Sequence, residues 1–374
     1  MNKIQMVDLK SQYLRHKTEI DSGIAEVIDS TAFINGPIVK EFQQNLSQYL
    51  DCKNVITCGN GTDALQIAMM ALGLQAGDEV ITTPFTFIAT VEVVAVLGLN
   101  PVFVDVDAAT FNIDVSQIEK AITPRTKAIV PVHLFGQPAN MEEIMRIANQ
   151  YNLAVIEDAC QAIGAEYTFS SGETKKVGTI GTIGCTSFFP SKNLGCYGDG
   201  GAIFTNDDEL ALKMRGIVNH GMFTRYYHDM VGVNSRLDSI QAAVLNVKLN
   251  YLDSYNNARQ RAAAFYNHAF AGNPHIEIPT ALNGTTHVFH QYTLKLHDVN
   301  RAQLIKNMND AGIPVMIYYP VPLHLQKAFA HLGFQRGDFP VAENLCESVI
   351  SLPMHTELDE EQLVYITEHL LKNI

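Results

Sequence analysis

Short apolar runs of strand length alternate with segments of helical pattern through the first two thirds of the chain. This alternation is typical of a mostly parallel sheet covered by helices, and ligands bind to such sheets at the carboxyl ends of the strands. We therefore predict an α/β fold with its site at that edge. The predicted strands are 54–57, 79–82, 101–105, 128–132 and 154–158, and the predicted helices are 64–72, 89–97, 115–121 and 141–151.

The pattern changes after about residue 238, where helical spacing continues to about residue 270. A chain of 374 residues also exceeds the size at which single hydrophobic cores stop growing, roughly 250 to 300 residues. We predict a large α/β domain over 1–250 and a smaller C-terminal α+β domain over 251–374. The later elements are apolar segments at 291–296 and 315–319, a helix over 301–311 and a terminal helix from Asp359.

The charge balance argues against nucleic acid as a partner. The chain has 26 lysines and arginines and 39 aspartates and glutamates, which gives a formal net charge of −13 at pH 7. An acidic chain repels polyanions, so we expect at most a local pocket for a phosphate. The composition, 47% hydrophobic and 17% charged, is that of an ordinary globular protein.

The sequence lacks the usual signs of secretion, membrane insertion and metal binding. Its start, 1–8, has no long apolar core of a signal peptide, and no apolar run approaches the ~20 residues of a membrane helix. The six cysteines are scattered, form no C-x-x-C pair and suggest no metal spacing. We expect a cytoplasmic protein without membrane insertion or a metal site.

A glycine-rich turn is the candidate phosphate site. The G-x-G-x-x-G fingerprint and the G-x-x-x-x-G-K-[ST] loop are absent, but Cys58-Gly59-Asn60-Gly61-Thr62-Asp63 follows the first predicted strand. With Thr62 as N-cap, the backbone N–H groups there could hold a phosphate at a helix N-terminus. An ordinary strand-to-helix turn explains the same residues, so both interpretations stay open.

One lysine, Lys192, has surroundings unlike those of a solvated surface charge. It follows the aromatic pair Phe188-Phe189 and precedes the glycine-rich turn Gly198-Asp199-Gly200-Gly201. Most lysines are solvated, but these flanks look buried and the glycines look suited to close backbone approach. Burial lowers the pKa of an amine, and a neutral amine can form a Schiff base with a carbonyl compound.

Carboxylates close the strand predicted at 154–158. Asp158 there is explained by a helix N-cap, but an acid aimed at a pocket can also pair with a protonated ring nitrogen, and Gln161 could reach the same ligand. A lysine for a Schiff base, an acid for a pyridinium nitrogen and a phosphate site together meet the requirements of pyridoxal 5′-phosphate, PLP. Their combination favours that cofactor.

Five segments closely resemble motifs of the DegT/DnrJ/EryC1/StrS family of PLP-dependent nucleotide-sugar aminotransferases, in the family's order and over nearly the whole chain. The resemblance implies PLP-dependent transferase fold type I, the aspartate aminotransferase architecture. The segments are 60–65 (NGTDAL), 132–138 (VHLFGQP), 157–161 (EDACQ), 189–195 (FPSKNLG) and 232–238 (GVNSRLD).

The resemblance also implies roles for individual residues around PLP. Lys192 would form the Schiff base and then carry the proton, and Asp158 would pair with the pyridine nitrogen. Gln161 would lie beside the ring and its phenolic oxygen. Residues implied to hold the phosphate are Thr62, Asp63 and Ser187, the first two through backbone N–H groups.

Further residues are implied at the cofactor's face and in the substrate site. Phe87 falls where the family stacks an aromatic ring on PLP, although packing in the core explains the same residue. Asn234 matches a residue that reaches the partner's PLP phosphate, which implies a homodimer with shared active sites. Arg236 would contact substrate or make a structural ion pair, and Tyr319 matches a substrate-site position. Tyr318 stands where the family usually has histidine.

The implied reaction is a ping-pong transamination in which L-glutamate donates the amino group to a keto-sugar linked to a nucleotide. Resemblance to members that make UDP-2-acetamido-3-amino-2,3-dideoxyglucuronate for O-antigen, and to members that make dTDP-3-amino-3,6-dideoxyhexoses, favours a 3-keto sugar. A 4-keto sugar aminotransferase and a dehydratase of the family remain alternatives. The dehydratases carry histidine in place of the lysine, so Lys192 argues against that reading. A non-enzymatic regulatory role is disfavoured by the acidic charge.

Overall fold

The computed structural model describes residues 3–374. Met1 and Asn2, which belong to the N-terminal segment and to the predicted first domain, lie outside the described residues. The helices are α1 Leu9–Arg15, α2 Lys17–Ser30, α3 Pro37–Leu50, α4 Gly61–Ala71, α5 Ala89–Val96, α6 Val115–Ala121, α7 Met141–Tyr151, α8 Asp208–Ile217, α9 Ser239–Leu249, α10 Leu252–Phe270, α11 Arg301–Asp310, α12 Pro340–Ser348 and α13 Glu360–Lys372. The strands are β1 Asn54–Cys58, β2 Glu79–Thr82, β3 Asn100–Phe103, β4 Thr126–Ile129, β5 Ala154–Asp158, β6 Glu166–Thr168, β7 Thr174–Lys176, β8 Ile183–Ser187, β9 Gly201–Thr205, β10 Met222–Thr224, β11 Tyr227–His228, β12 Ile276–Glu277, β13 Tyr292–Leu296 and β14 Val349–Leu352.

A seven-stranded sheet forms the centre of the larger region, in the order β1-β9-β8-β5-β4-β2-β3. The pairs from β8 to β3 are parallel, whereas β9 runs antiparallel to both of its neighbours, β1 and β8. The predicted mostly parallel sheet is therefore confirmed. The carboxyl ends of β1, β5 and β8 meet at one edge, because these three strands point the same way.

Burial on both faces explains why these strands read as continuous apolar runs. All four residues of β2 and all five of β9 are buried. Helix α4 packs its small and apolar residues against the sheet, and Leu65, Ile67 and Ala68 are fully buried in the main core. Burying a Leu or Ile side chain stabilises the fold by roughly 1.5–3 kcal/mol.

The C-terminal region has a sheet and a core of its own. Strands β12, β13 and β14 pair antiparallel, and residues of α10, α11 and α13 pack with them in a second hydrophobic cluster. Helix α9 ends at Leu249 and α10 begins at Leu252. The division into domains at residue 250 stays a prediction.

One local expectation differs from the structure. The N-cap of α4 is Asn60, whose side chain accepts from the Asp63 N–H, so the expectation that Thr62 caps this helix is wrong. Asparagine is among the best capping residues because its short side chain reaches the N3 amide. The segment 315–319 forms a single antiparallel bridge, from Met316 to Ser351. Within residues 3–374, no helix combines the length and the apolar character needed to cross a bilayer.

Candidate active site

A cavity of about 720 Å³ opens at the edge where the parallel strands end. The first turn of α4, the ends of β5 and β8 and residues from the C-terminal region line it together. Of the predicted site residues, Asn234 and Arg236 lie outside this lining. The predicted residues that line the cavity are Thr62, Asp63, Phe87, Asp158, Gln161, Ser187, Lys192, Tyr318 and Tyr319.

Asp158 is the last residue of β5 and presents a buried carboxylate to the cavity. The Thr90 hydroxyl donates to its Oδ2 at 2.8 Å, and the Cys160 N–H donates to its Oδ1 at 3.2 Å. Its backbone is tied to the neighbouring segment, because the Asp158 N–H donates to Pro131 and the His133 N–H donates to the Asp158 carbonyl. The carboxylate is thus held in place with lone pairs left for a further donor.

The residue before it, Glu157, fixes the same strand end through buried hydrogen bonds outside the cavity lining. Its side chain is fully buried beside His133, and the His133 Nε2 lies 2.9 Å from a Glu157 oxygen. The Ala139 N–H donates to His133 Nδ1, so Nε2 carries the hydrogen that is donated to Glu157. Three further backbone N–H groups donate to this carboxylate, those of Gly178, Ile180 and Gly181.

Gln161 lies in the turn after β5 with its amide fixed on both sides. Its Oε1 accepts from the Phe135 N–H at 2.8 Å, and its Nε2 donates to the Tyr319 hydroxyl at 3.1 Å. Burial raises the pKa of Tyr319 above its ordinary value, so the phenol stays protonated. These bonds bring a residue of the C-terminal region against the end of β5.

Lys192 lies in the loop 188–200 that joins β8 to its antiparallel neighbour β9. Its backbone N–H donates to Phe189, and the loop is closed by bonds from the Phe188 N–H to Gly200 and from the Cys196 N–H to Phe188. Burial lowers the pKa of the Lys192 amine, and the nearby Cys160 and Asp158 oppose that shift. Its Nζ has no hydrogen-bond or ion-pair partner among residues 3–374.

The glycines around Lys192 allow close backbone approach, as the sequence predicted. A Cβ added at Gly201 would lie 2.4 Å from the Asn60 carbonyl oxygen, and one at Gly195 would lie 2.3 Å from the Pro190 oxygen. Neither position has room for a side chain. The expectation of buried flanks holds for Phe188 but is wrong for Phe189, whose side chain is 53% exposed at the cavity.

The N-terminus of α4 lies directly opposite the end of β8. A Cβ added at Gly61 would lie 2.8 Å from the Ser187 Cβ, so the helix start and Ser187 are in contact. The Asp63 N–H is donated to Asn60 at 2.8 Å, which leaves Gly61 and Thr62 as the first-turn positions whose amides the cap does not use. The Asp63 carboxylate accepts from the Ser235 hydroxyl at 2.6 Å.

Aromatic side chains line the mouth of the cavity. Phe87 is 54% exposed, which argues against the reading of this residue as core packing. Its ring centroid lies 6.4 Å from that of Tyr319, and the rings of Tyr318 and Tyr319 are 6.0 Å apart. Together with Phe189 these rings give the mouth an apolar surface that can receive a flat or apolar group.

Other lining residues were missed by sequence reasoning. Thr90 holds Asp158, and Cys160, Asp199, His290 and Gln291 also face the cavity. Burial lowers the pKa of His290 far below its ordinary value, aided by Lys192 and Arg259, so its imidazole is neutral. A histidine at the start of an apolar strand gives no sign in the sequence that it lies beside Lys192.

Asn234 and Arg236 lie together in the segment after the β10–β11 hairpin. Asn234 is exposed and forms an isolated bridge with Asn219, and Arg236 Nη1 donates to Asn219 Oδ1 at 3.2 Å. Ser235 between them donates to Asp63. The segment therefore packs against the start of α4, and Asn234 is not among the residues that line this chain's own cavity.

The geometry can accept a carbonyl compound that carries a phosphate. A lysine with a lowered pKa and a fixed carboxylate line the same cavity, and a helix N-terminus with neighbouring hydroxyl groups can hold an anion. This combination fits PLP, whose aldehyde, ring nitrogen and phosphate need those three partners.

The model of the DegT/DnrJ/EryC1/StrS aminotransferase family matches residues 15–371. A "pleiotropic regulatory protein" of Geobacillus stearothermophilus is 49% identical, covering 98% of this chain and 97% of the relative. A UDP-2-acetamido-2-deoxy-3-oxo-D-glucuronate aminotransferase of Pseudomonas aeruginosa is 46% identical, covering 97% and 98%. The crystal structure of S. venezuelae DesV in complex with a ketimine intermediate superposes with a TM-score of 0.95 at 38% identity, covering 100% of this chain and 98% of that one.

Proposed function

The chain belongs to the DegT/DnrJ/EryC1/StrS aminotransferase family, and we propose that it transfers an amino group to the 3-keto position of a sugar linked to a nucleotide. The family assignment confirms the enzyme class, a PLP-dependent nucleotide-sugar aminotransferase, and the expected fold type I. The 3-keto position is favoured by the P. aeruginosa relative, whose name specifies a 3-oxo sugar. The observation that carries the proposal is that Lys192 and Asp158 line the same cavity.

PLP fits the residues present. The absence of a side chain at Gly61 lets the start of α4 lie against Ser187, so the first-turn amides and the Ser187 hydroxyl are close enough to bind one phosphate. Asp158 keeps acceptor capacity beyond Thr90 and Cys160. When bound, PLP supplies a conjugated ring that takes up the negative charge left when a proton is removed from the amino carbon.

Lys192 would hold PLP through its amine and, when free, would carry the proton at its Nζ. Its lowered pKa leaves a larger share of neutral amine, which is the form that attacks a carbonyl and accepts a proton. No residue in the described range hydrogen-bonds to Nζ, so the amine is free to move between the position for attack on a carbonyl and the position for accepting a proton.

Asp158 would hold the ring nitrogen of bound PLP by a hydrogen bond and would favour the protonated form of that nitrogen. Thr90 and the Cys160 amide hold the carboxylate so that it needs little rearrangement during the reaction. Gln161 lies beside the ring, with its own amide held by Phe135 and Tyr319.

Thr62, Ser187 and the first amides of α4 would hold the phosphate of PLP. The Asp63 N–H is already donated to Asn60. Asp63 therefore contributes to the shape of the phosphate site and through the hydrogen bond that its carboxylate accepts from Ser235. Asn234 of a second copy completes the site in a homodimer, which accounts for its exposed side chain. Phe87 would cover one face of the PLP ring, and Arg236, Tyr318 and Tyr319 would contact the substrate.

We also propose L-glutamate as the amino donor, a place in the synthesis of cell-surface polysaccharide such as O-antigen, and a cytoplasmic location. The six free cysteines support a reducing compartment.

A turnover screen tests the substrate. Purified protein should show the visible band of bound PLP, lose that band with L-glutamate, and then aminate UDP- or dTDP-linked 3-keto sugars at least about tenfold faster than the 4-keto isomers. Preference for a 4-keto sugar would overturn the 3-keto proposal, and a colourless protein that binds no PLP would overturn the cofactor assignment.

Mixed chains test the shared site. Combining Lys192→Ala chains with Asn234→Ala chains should give heterodimers more active than either homodimer, because one of the two sites then has both intact residues. Activity that is no higher than in the homodimers would contradict a contribution from the second copy.

A further inference from the structure

The residue next to Lys192 points away from the cavity into a buried hydrogen-bond network. Asn193 is 3% exposed, and its Nδ2 donates to Asn256 Oδ1 at 2.7 Å and to the Val288 carbonyl at 2.9 Å. Both neighbours of Nδ2 are acceptors, so the orientation of the Asn193 amide is fixed. None of the roles proposed above uses this side chain.

Asn256 is the junction of that network. It lies in α10, is 5% exposed, and its Nδ2 donates to the Ile163 carbonyl at 3.3 Å, two residues after Gln161. The packing here is tight, because a Cβ at Gly164 would lie 2.6 Å from Asn256 Nδ2. Asn256 thus connects the loop of Lys192 with the turn that carries Gln161.

The same face of α10 also binds the segment 287–290, which forms another wall of the cavity. Arg259 Nη1, one turn after Asn256, donates to the carbonyls of Phe289, His290 and Met354, and Gln260 Nε2 donates to the carbonyl of His287. Val288, which accepts from Asn193, lies within that segment. His290 faces the cavity.

We propose that Asn193 and Asn256 are positioning residues for Lys192, an inference that rests on the proposed function. A lysine side chain has several rotatable bonds, so its amine reaches one carbon reproducibly only if the backbone beneath it is fixed. Linking to PLP forms a carbon–nitrogen double bond between the Lys192 amine and the aldehyde and releases one water. The rate of this step depends on the position of the Lys192 amine relative to the aldehyde carbon before they react.

The test follows attachment of PLP to the full-length apo-protein. In Asn193→Ala and Asn256→Ala, the rate at which the visible band grows should fall about 10- to 100-fold. Affinity for pyridoxamine 5′-phosphate should stay within about twofold, because this compound has no aldehyde and fills the cavity without Lys192. The double variant should attach no more slowly than the slower single variant, since both changes break one link.

Gln260→Ala is the matched control. It removes a hydrogen bond from the same helix face to the same cavity wall but does not contact the Lys192 loop. Its attachment rate should equal that of the unchanged protein. Amide hydrogen exchange in residues 189–196 should quicken in the two asparagine variants and not in this control.

The outcomes separate this inference from the proposed function. Asparagine variants that attach PLP at the unchanged rate would overturn the positioning role, and so would an equal fall in affinity for pyridoxamine 5′-phosphate. An unchanged protein that never develops the band would overturn the proposed function instead. Should Asn256→Ala fail to fold, Asn193→Ala removes the other end of the same link and keeps the proposal testable.

Discussion

Two lysines lie at the loop 188–200, and only one of them lines the cavity. Lys192 projects from the loop into the cavity, and Lys248 of α9 reaches the loop from behind. Lys248 is 1% exposed, its Nζ donates to the Gly195 carbonyl at 2.5 Å, and it lies 5.3 Å from the centre of the Tyr197 ring.

Burial is the main cause of the lowered pKa of both amines. For Lys248, burial lowers the pKa to about 8, with Cys196 opposing the shift and Arg259 adding to it. For Lys192 burial lowers the pKa against the opposing charges of Cys160 and Asp158. A lowered pKa therefore does not identify a nucleophile. The cavity and the acid across it distinguish Lys192 from Lys248.

Exchanging each lysine for a neutral residue gives the largest expected contrast. Lys192→Ala should reduce transamination at least about 10³-fold, because both the covalent link and the proton carrier are lost. Lys248→Met should reduce turnover at most about tenfold, since it removes only one hydrogen bond, to the carbonyl of Gly195, three residues after Lys192. Steady-state turnover and far-UV circular dichroism of both variants measure this. Equal losses would erase the distinction between the two lysines.

The pH dependence of stability should reveal Lys248. Its pKa is about 8 in the folded protein against an ordinary value of 10.5, so the unfolded state binds more protons between these pH values. The free energy of unfolding should therefore rise with pH through this window, by about 3 kcal/mol from this group, and the contribution is lost as pH falls through 8. Urea unfolding at pH 7 to 10.5 should show the rise in the unchanged protein relative to Lys248→Met. A constant difference between the two would contradict a lowered pKa.

Removing the acid opposite Lys192 should give the next effect. Asp158→Asn keeps the shape but cannot hold the ring nitrogen protonated, so turnover should fall about 10²-fold. Thr90→Val, which removes only the hydroxyl that holds Asp158, should cost about tenfold or less. Single-turnover rates with glutamate separate the two. A smaller loss in Asp158→Asn than in Thr90→Val would count against the role of the acid.

The two faces of the loop should also differ in their aromatic residues. Phe189 is half exposed at the cavity mouth, so Phe189→Ala should raise KM for the nucleotide sugar about tenfold with little change in kcat. Tyr197 lies on the Lys248 side, and its buried hydroxyl has no partner among the described residues. Tyr197→Phe should leave both constants unchanged. A change in kcat alone for Phe189→Ala would mean that this ring acts in the reaction and not in binding.

Apolar periodicity was enough to predict many of the elements. Strands at 79–82 and 154–158 and helices at 115–121 and 141–151 match β2, β5, α6 and α7 exactly in their bounds. Continuous burial on both faces makes such strands readable from the sequence. The segment 128–132 was read too far, because β4 ends at Ile129 and Val132 makes only a bridge to Asp158.

The site was predictable where chemistry and chain order coincide. Asp158 ends β5 and Lys192 follows β8, and these two strands are neighbours in the sheet, so a sequence pattern could place the two residues in one site. His290 and Gln291 come from the C-terminal region, and their place in the cavity depends on how the C-terminal region packs on the central sheet, which local patterns do not encode. The capping role of Asn60 was missed because Thr62 is also a good capping residue.

The pairing of β1 with β9 has a consequence for the order of folding. Strands β5, β8 and β9 are close in sequence. Strand β1, in contrast, pairs with a strand far along the chain, with Asn54 opposite Thr205 at the end of β9. Contacts between distant parts of a chain form slowly, so we expect β1 to join the sheet late. Since α4 follows β1 directly, the phosphate site would be assembled in that last step, and PLP added during refolding would bind and retain only chains that have completed it.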